Sequence, residues 1–399
     1  MADTFVKQRA SVRVLAGGGL LGVAVVLAAL NLRPAVTSTG SVLGEVRTSL
    51  GASATWAGAL TTVPGLCFAV AGSIAPWVAK RIGLPAAVSV ALALLTGGLV
   101  IRVLDGKLVV LGGTLVATAG IALANVLIPV VVKDAFPARV GLMSGLYTGA
   151  LQTGGALGSA VTPGVDNAFG GWRPGLASWA VLAGVALVLW MIGARTKPGL
   201  PDTGPVPEGG PRSLLRNGLA WTVTLFFGLQ ACLAYIVMGW LPAVLMDSGV
   251  SRGDAGLLLG LISLLGLPVS LFLVPLAARS RSQSWWVVAL GVFGLAGITG
   301  VMIAPGAAPL LWSIGIGIGM SVFSLAITTI TLRSRDGADT ARLSGMAQGF
   351  GYLLAALGPF LFGLLHDVTG SWTVPFVLLL LTSAGQMILG WFAGRPRFV

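Results

Sequence analysis

The sequence predicts an all-α integral membrane protein, with twelve transmembrane helices arranged as two pseudo-symmetric six-helix bundles. Three observations predict it. Apolar runs long enough to span a bilayer recur from end to end, charged residues are rare and gather mostly at the breaks between runs, and landmarks of the first half return in the second.

The 399 residues are 56% hydrophobic and 9% charged, with a mean hydropathy of +0.95. A soluble chain carries roughly a quarter charged residues. Cutting at charge and turn clusters gives spans near 15–46, 53–79, 84–104, 108–132, 140–163 and 174–194, then 218–246, 254–278, 284–304, 309–332, 343–365 and 372–393. Residues 1–194 and 218–399 are expected to form the two bundles. The Pro/Gly-rich stretch 195–217 reads as a cytoplasmic linker.

The net charge of +12 does not mark a nucleic-acid binder, because the cations sit in short loops rather than along one face. With the N-terminus inside, 18 of the 24 Lys and Arg fall in inside tails and loops and five fall outside, leaving Arg33 within a span. That bias predicts a multi-pass cell-membrane protein with both termini cytoplasmic. Met1 to Arg13 reads as a tail before a retained helix, not as a cleaved signal. Cys67 and Cys232 lie in apolar runs without a CxxC or histidine partners, so they read as buried small hydrophobes; no metal and no cofactor is expected.

The halves repeat. LGASATWAG at 50–58 matches SGVSRGDAG at 248–256, PWVAKR at 76–81 matches PLAARS at 275–280, and ARVGLMSG at 138–145 answers ARLSGMAQ at 341–348. The offsets run from 198 to 203. Parallel repeats of this kind build transporters whose substrate site lies between the halves at mid-membrane. At offset 198 Arg33 aligns with Ala231 in the middle of span seven, so the first helix continues past Arg33, kinked at Pro34. An arginine at that depth against lipid costs roughly 2.5–3.5 kcal/mol, which predicts that it faces a cavity or a partner. The alternatives are a ligand for a polar or anionic solute and a structural tie to backbone carbonyls.

Other polar residues at membrane depth are candidates for the same pathway. Thr37 shares a helix face with Arg33, and serves either a ligand or a carbonyl freed by Pro34. Asn125, Tyr147, Gln152, Gln230, Tyr235, Gln348 and Tyr352 are the others, with Gln348 and Tyr352 on one face; helix–helix hydrogen bonding is the alternative for each. Gly145, Gly149, Gly154 and Gly158 read as close helix packing rather than a phosphate loop, because no strand-to-helix turn carries them. His366, the one histidine, stands beside Asp367 at the outer end of span eleven and reads as an interfacial hydrogen-bond partner. No nucleophile, HExxH or Walker motif supports an enzyme.

Several segments carry a family resemblance. ALNLRPAVTSTGSVLGEVRTSLGAS, KDAFPARVGLMSGLYTGALQTGGALGSAVTP and LGPFLFGLLHDVTGSWTVPF resemble the cyanate/2-nitroimidazole transporter (CynX/NimT) family of the major facilitator superfamily, over essentially the whole chain. The resemblance implies the superfamily fold and secondary transport of a small polar or anionic solute by alternating access, with Arg33 suited to such a solute. In the superfamily's loop between helices two and three, PWVAKRIGLP retains Arg81 and Gly83 as candidate gating residues. Glu45, the acid nearest the outer half of the first helix, is the candidate for proton coupling. The partners expected are a small-molecule substrate and the bilayer, with no nucleic acid, and the chain is expected to act as a monomer. A proton-coupled exporter of amphipathic drugs is the second reading: the glycine spacing in span five resembles an antiporter motif, with Ser159 where its proline stands. A membrane receptor or enzyme is the third.

Overall fold

The computed structural model describes residues 19–136, 139–195, 214–335 and 337–399. It is helical throughout these residues. Residues 19–31 form α1, and a break at Leu32–Arg33 separates it from α2 (Pro34–Leu50); together they make the first span. The break falls where proline disfavours helical geometry for the residue before it and removes one amide donor. There follow α3 (Ala54–Ile82), α4 (Leu84–Ile101), α5 (Lys107–Ala135), α6 (Val140–Phe169) and α7 (Trp172–Arg195).

After a short 3-10 turn at Leu214–Arg216 come α8 (Gly218–Asp247) and α9 (Arg252–Pro268), a π-helical stretch Val269–Leu273, and α10 (Val274–Arg279). The last spans are α11 (Ser284–Ile303), the pair α12 (Pro309–Met320) and α13 (Val322–Leu332), α14 (Gly337–Thr369) and α15 (Thr373–Ala393). The linker expected at 195–217 lies, apart from its ends, outside the described residues.

Each of the twelve expected spans is a helical segment. Ten are long and apolar enough to cross a bilayer by length and composition. The two that fall short are α6, diluted by Gly, Ser and Thr, and the run 252–279, which the π-helical stretch divides. Those two pack against each other across the halves. Ends are set locally: Ser53, Asn217 and Ser251 each accept a backbone N–H at the start of α3, α8 and α9, and Gly51 at φ +57° closes α2.

The helices alternate in direction, so one end of the bundle carries Arg195 and Val399 and is called terminal here; the other, carrying Leu50, Asp247 and Thr369, is distal. Of the pairs that join the first six spans to the last six, three dominate: α2 with α8, α3 with α14, and α6 with α9. Toward the distal end they touch backbone to backbone. Gly40 lies under the carbonyl of Met238, Gly58 under that of Pro359, and Gly256 under that of Ser159. Toward the terminal end the α6 and α14 seams part: Gly145, Gly149 and Gly345 have nothing within 4 Å of where a Cβ would stand. The halves are closed distally and open terminally.

Candidate functional site

Arg33 sits at the break in the first span, at the N-terminal cap of α2, with its side chain forming no cap hydrogen bond. It is half-buried at mid-span, beside Gly155 of α6. Its guanidinium forms no hydrogen bond or ion pair with any described residue; the groups in electrostatic reach are the hydroxyls of Tyr352, Tyr235 and Tyr147. The chain has three tyrosines, and all three stand around this one cation.

They come from both halves. Tyr147 on α6 donates to Asn125 Oδ1 on α5 at 2.9 Å, which fixes its hydroxyl beside the site. Tyr235 on α8 and Tyr352 on α14 have ring centroids 6.3 Å apart. Phe68 on α3 lies against both, at 6.5 Å from Tyr235 and 5.3 Å from Tyr352, and Phe227 meets Tyr352 edge-on at 5.1 Å. Gly155 lets α6 approach: a Cβ there would stand 3.2 Å from Arg33 Cδ. The result is a cation without a counter-ion, facing tyrosine hydroxyls and aromatic faces. Such a site matches an anion or a strongly polar, electron-rich group.

Arg33, Asn125, Tyr147, Tyr235 and Tyr352 are thus brought together. Gln152 shares α6 with Tyr147, but its Nε2 donates to the carbonyl of Ser263 at 3.1 Å and ties α6 to α9. Three candidates lie elsewhere. Thr37 is fully buried against Gly158 and donates to the carbonyl of Arg33 at 3.3 Å, so it braces the turn; the carbonyl it bonds is not that of Leu30, the one Pro34 leaves free. Gln230 turns into the second half, donating to the carbonyl of Met320 at 3.2 Å beside the α12–α13 break. Gln348 is exposed and donates to Ser344 Oγ at 2.8 Å one turn back. Helical spacing placed these three at the right depth but not on the right face.

Glu45 is at the distal rim, 2.5 Å from Arg252. Arg252 also pairs with Asp166 of α6, whose side chain is 1% exposed. A vestibule of about 570 Å³ opens there, with Ser41, Glu45, Arg47 and Asp247 on its wall. Beside it Asp367 accepts the backbone N–H of Ala54 at 2.9 Å, together with the N–H and hydroxyl of Thr55. His366 stacks on Trp372, ring centroids 3.8 Å apart. At the terminal end Arg81 lies over the ring of Trp77 at 4.9 Å, and Gly83 holds φ +81° where α3 ends. A positive φ is reason enough for that glycine.

Sequence reasoning missed four residues here. Phe68 had no signal, being one aromatic in an apolar run. Arg252 and Asp166 looked like solvated loop charges, although the repeat sets Arg252 opposite Ala54 at the start of a packed helix. Arg102 was counted as an outside loop cation, yet it is 1% exposed. It donates to the carbonyl of Ala35 at 2.7 Å and to Thr39 Oγ1 at 3.1 Å, clamping α2 just beyond Arg33. Cys67 and Cys232 are buried and free, as expected.

Comparison with known proteins agrees with this architecture. Residues 19–338 match the model of the Major Facilitator Superfamily. The uncharacterized transporter YycB of Bacillus subtilis (strain 168) is 38% identical, covering 94% of this chain and 93% of its own length. The 2-nitroimidazole transporter of Escherichia coli (strain K12) is 35% identical, over 94% of this chain and 95% of that one. The cyanate transport protein CynX of the same organism is 30% identical, over 91% and 94%. Among solved structures, a bacterial homolog of the human lysosomal transporter Spinster superposes with a TM-score of 0.77 at 14% identity, covering 95% of this chain and 97% of that one. This chain therefore belongs to the major facilitator superfamily and is a transporter, not an enzyme, resembling the cyanate and 2-nitroimidazole transporters.

Proposed function

We propose that the chain is a secondary transporter of a small polar or anionic solute, of the cyanate or nitroimidazole kind, with Arg33 as the solute's ligand. The observation that carries this reading is the convergence of all three tyrosines, from both halves, on an arginine with no acidic partner among the described residues. A structural tie would spend its donors on carbonyls, as Arg102 does; Arg33 keeps its donors free. The names of two relatives that align along nearly the whole chain, the 2-nitroimidazole transporter and the cyanate transport protein, support the same solute class.

Alternating access follows from a site shared by both halves. Residues 1–194 and 218–399 would move as two bodies about it, the distal seams opening as the terminal ones close. The excess of Lys and Arg at the terminal end supports cytoplasmic termini and a distal end outside the cell membrane, which would make the conformation described here inward-facing. The monomer holds every residue of the site. Glu45 remains the candidate for coupling to protons, because distal opening would break its pairing with Arg252.

The test is solute binding to purified, folded Arg33→Ala. Binding of cyanate and 2-nitroimidazole is expected to fall more than tenfold, with thermal stability near wild type because no partner is left unpaired. Arg33→Lys should recover little, since an ammonium lacks the planar fork that grips a carboxylate-like or nitro group by two bonds. Wild-type affinity in Arg33→Ala would remove Arg33 from the site.

A further inference from the structure

We propose that Phe68 is the size-determining wall of the solute site, closing it against the distal seam. The proposal rests on the central-site reading above and adds a residue and a steric limit to it.

Phe68 lies halfway along α3, level with Arg33, Tyr235 and Tyr352 on their own helices. It is the one first-half aromatic ring found in contact with both second-half tyrosines among the described residues. It also packs on three separate hydrophobic clusters: the large one built mostly from the second half, the one inside the first half, and the small one around Cys67 and Ala122. Its ring therefore joins cores that otherwise belong to different parts of the molecule.

Its level on the helix is a boundary. On the distal side α3 and α14 touch: a Cβ on Gly65 would stand 3.0 Å from that of Ala356, and Thr62 Oγ1 donates to the Ala356 carbonyl at 2.8 Å. On the terminal side the helices diverge: a Cβ on Gly349 would stand 3.9 Å from the Ala69 carbonyl, and one on Gly345 would meet nothing within 4 Å. Phe68 fills the place where contact gives way to space. A ring there is half-buried and lies against the Tyr235 and Tyr352 rings that stand around Arg33. A solute held by Arg33 meets Tyr147 and Asn125 on the first-half side and the Phe68–Tyr352 pair on the other. The cation sets what charge enters; the ring sets how large it is.

The experiment compares kcat/KM for three probes of increasing size: cyanate, 2-nitroimidazole and 2-nitrobenzimidazole. Phe68→Ala should raise the ratio for the largest probe over the smallest at least tenfold, because removing a ring frees space that the fused ring can occupy. Phe68→Tyr should keep the wild-type ranking, and Phe68→Leu should fall between if the alanine variant folds poorly. A merely structural residue would lower all three probes in parallel, and an unchanged ratio in folded Phe68→Ala or Phe68→Leu overturns the proposal. Arg33→Ala, run beside them, should weaken all three probes together. Re-ranking by Phe68 without an effect of Arg33 would sink the ligand assignment and leave the wall; the reverse would sink the wall alone.

Discussion

The two seams that flank the distal end are copies of one another under the internal repeat, and they are locked differently. In the α3–α14 seam a Cβ on Gly58 would stand 2.8 Å from the Pro359 carbonyl, and Thr62 reaches the Ala356 carbonyl. In the α6–α9 seam Gly256 lies under the Ser159 carbonyl, and a Cβ on Gly260 would stand 3.1 Å from the Ala156 carbonyl. Gly58 and Gly256, and likewise Thr62 and Gly260, are 198 residues apart; Ala156 and Ala356 are 200 apart. The backbone contact is one solution used twice. At the rim the copies diverge. Asp367 caps the amides that open α3, using hydrogen bonds and the positive helix end. Asp166, 201 residues earlier, instead meets Arg252, which opens α9 and also reaches Glu45. The close approach is held in common because it is a matter of shape. The charge differs because an acid at a helix start is satisfied by either amides or a guanidinium.

The largest effect should come from breaking the shared feature. Gly256→Val and Gly58→Val each place a side chain against a backbone carbonyl that has no room to yield, so neither seam could close. Transport of cyanate or 2-nitroimidazole should fall more than tenfold in both, while Ser41→Cys at the vestibule floor, now 1% exposed, becomes open to maleimide in detergent. Full transport by either valine variant would mean that its seam does not need to close.

A smaller effect should separate the two locks. Arg252→Ala strands the buried Asp166 carboxylate, a loss on the order of 3 kcal/mol to the distal-closed state. Labelling of Ser41→Cys should rise by tenfold or more, and adding Asp166→Asn should reverse part of it. Asp367→Asn leaves an oxygen that still accepts an amide, so labelling should rise less than threefold. Equal effects of the two substitutions would show that the seams are locked alike.

Much of this was legible in the sequence. Span positions followed from apolar length, and the break before Pro34 from proline chemistry. The mid-membrane depth of Arg33 followed from the repeat, as did the pairing of Gly58 with Gly256. What was not legible was direction. Gln230 and Tyr235 lie five residues apart on one helix, yet one turns into the second half and the other onto Arg33. Period and depth do not say which neighbour a face will meet. The α12–α13 break at Ser321 and the π-helical Val269–Leu273 were not read from the sequence either, although Gly315, Gly317 and Gly319 precede the first and Pro268 and Pro275 flank the second. A proline or glycine inside a long apolar run fixes neither the place nor the kind of irregularity.

The glycines of α6 give the smallest predicted effect. Sequence spacing assigned Gly145, Gly149, Gly154 and Gly158 to one role, close helix packing. The structure divides them. Gly154 lies under the Leu30 carbonyl and Gly158 against Pro34 and Thr37, whereas Gly145 and Gly149, one to two turns nearer the terminal end, touch nothing. Gly149→Ala should therefore leave thermal stability at or slightly above wild type, since alanine favours a helix by about 0.5–1 kcal/mol over glycine where no clash intervenes. Gly158→Ala should lower it, because its methyl would meet Pro34 Cα at 2.7 Å. If Gly149 exists for the alternate, terminally closed state, Gly149→Ala should slow transport without lowering stability, and labelling from the terminal side should rise. Unchanged transport in Gly149→Ala would mean that α6 is not packed at that level in either state, confining the closing contacts of this helix to its distal half.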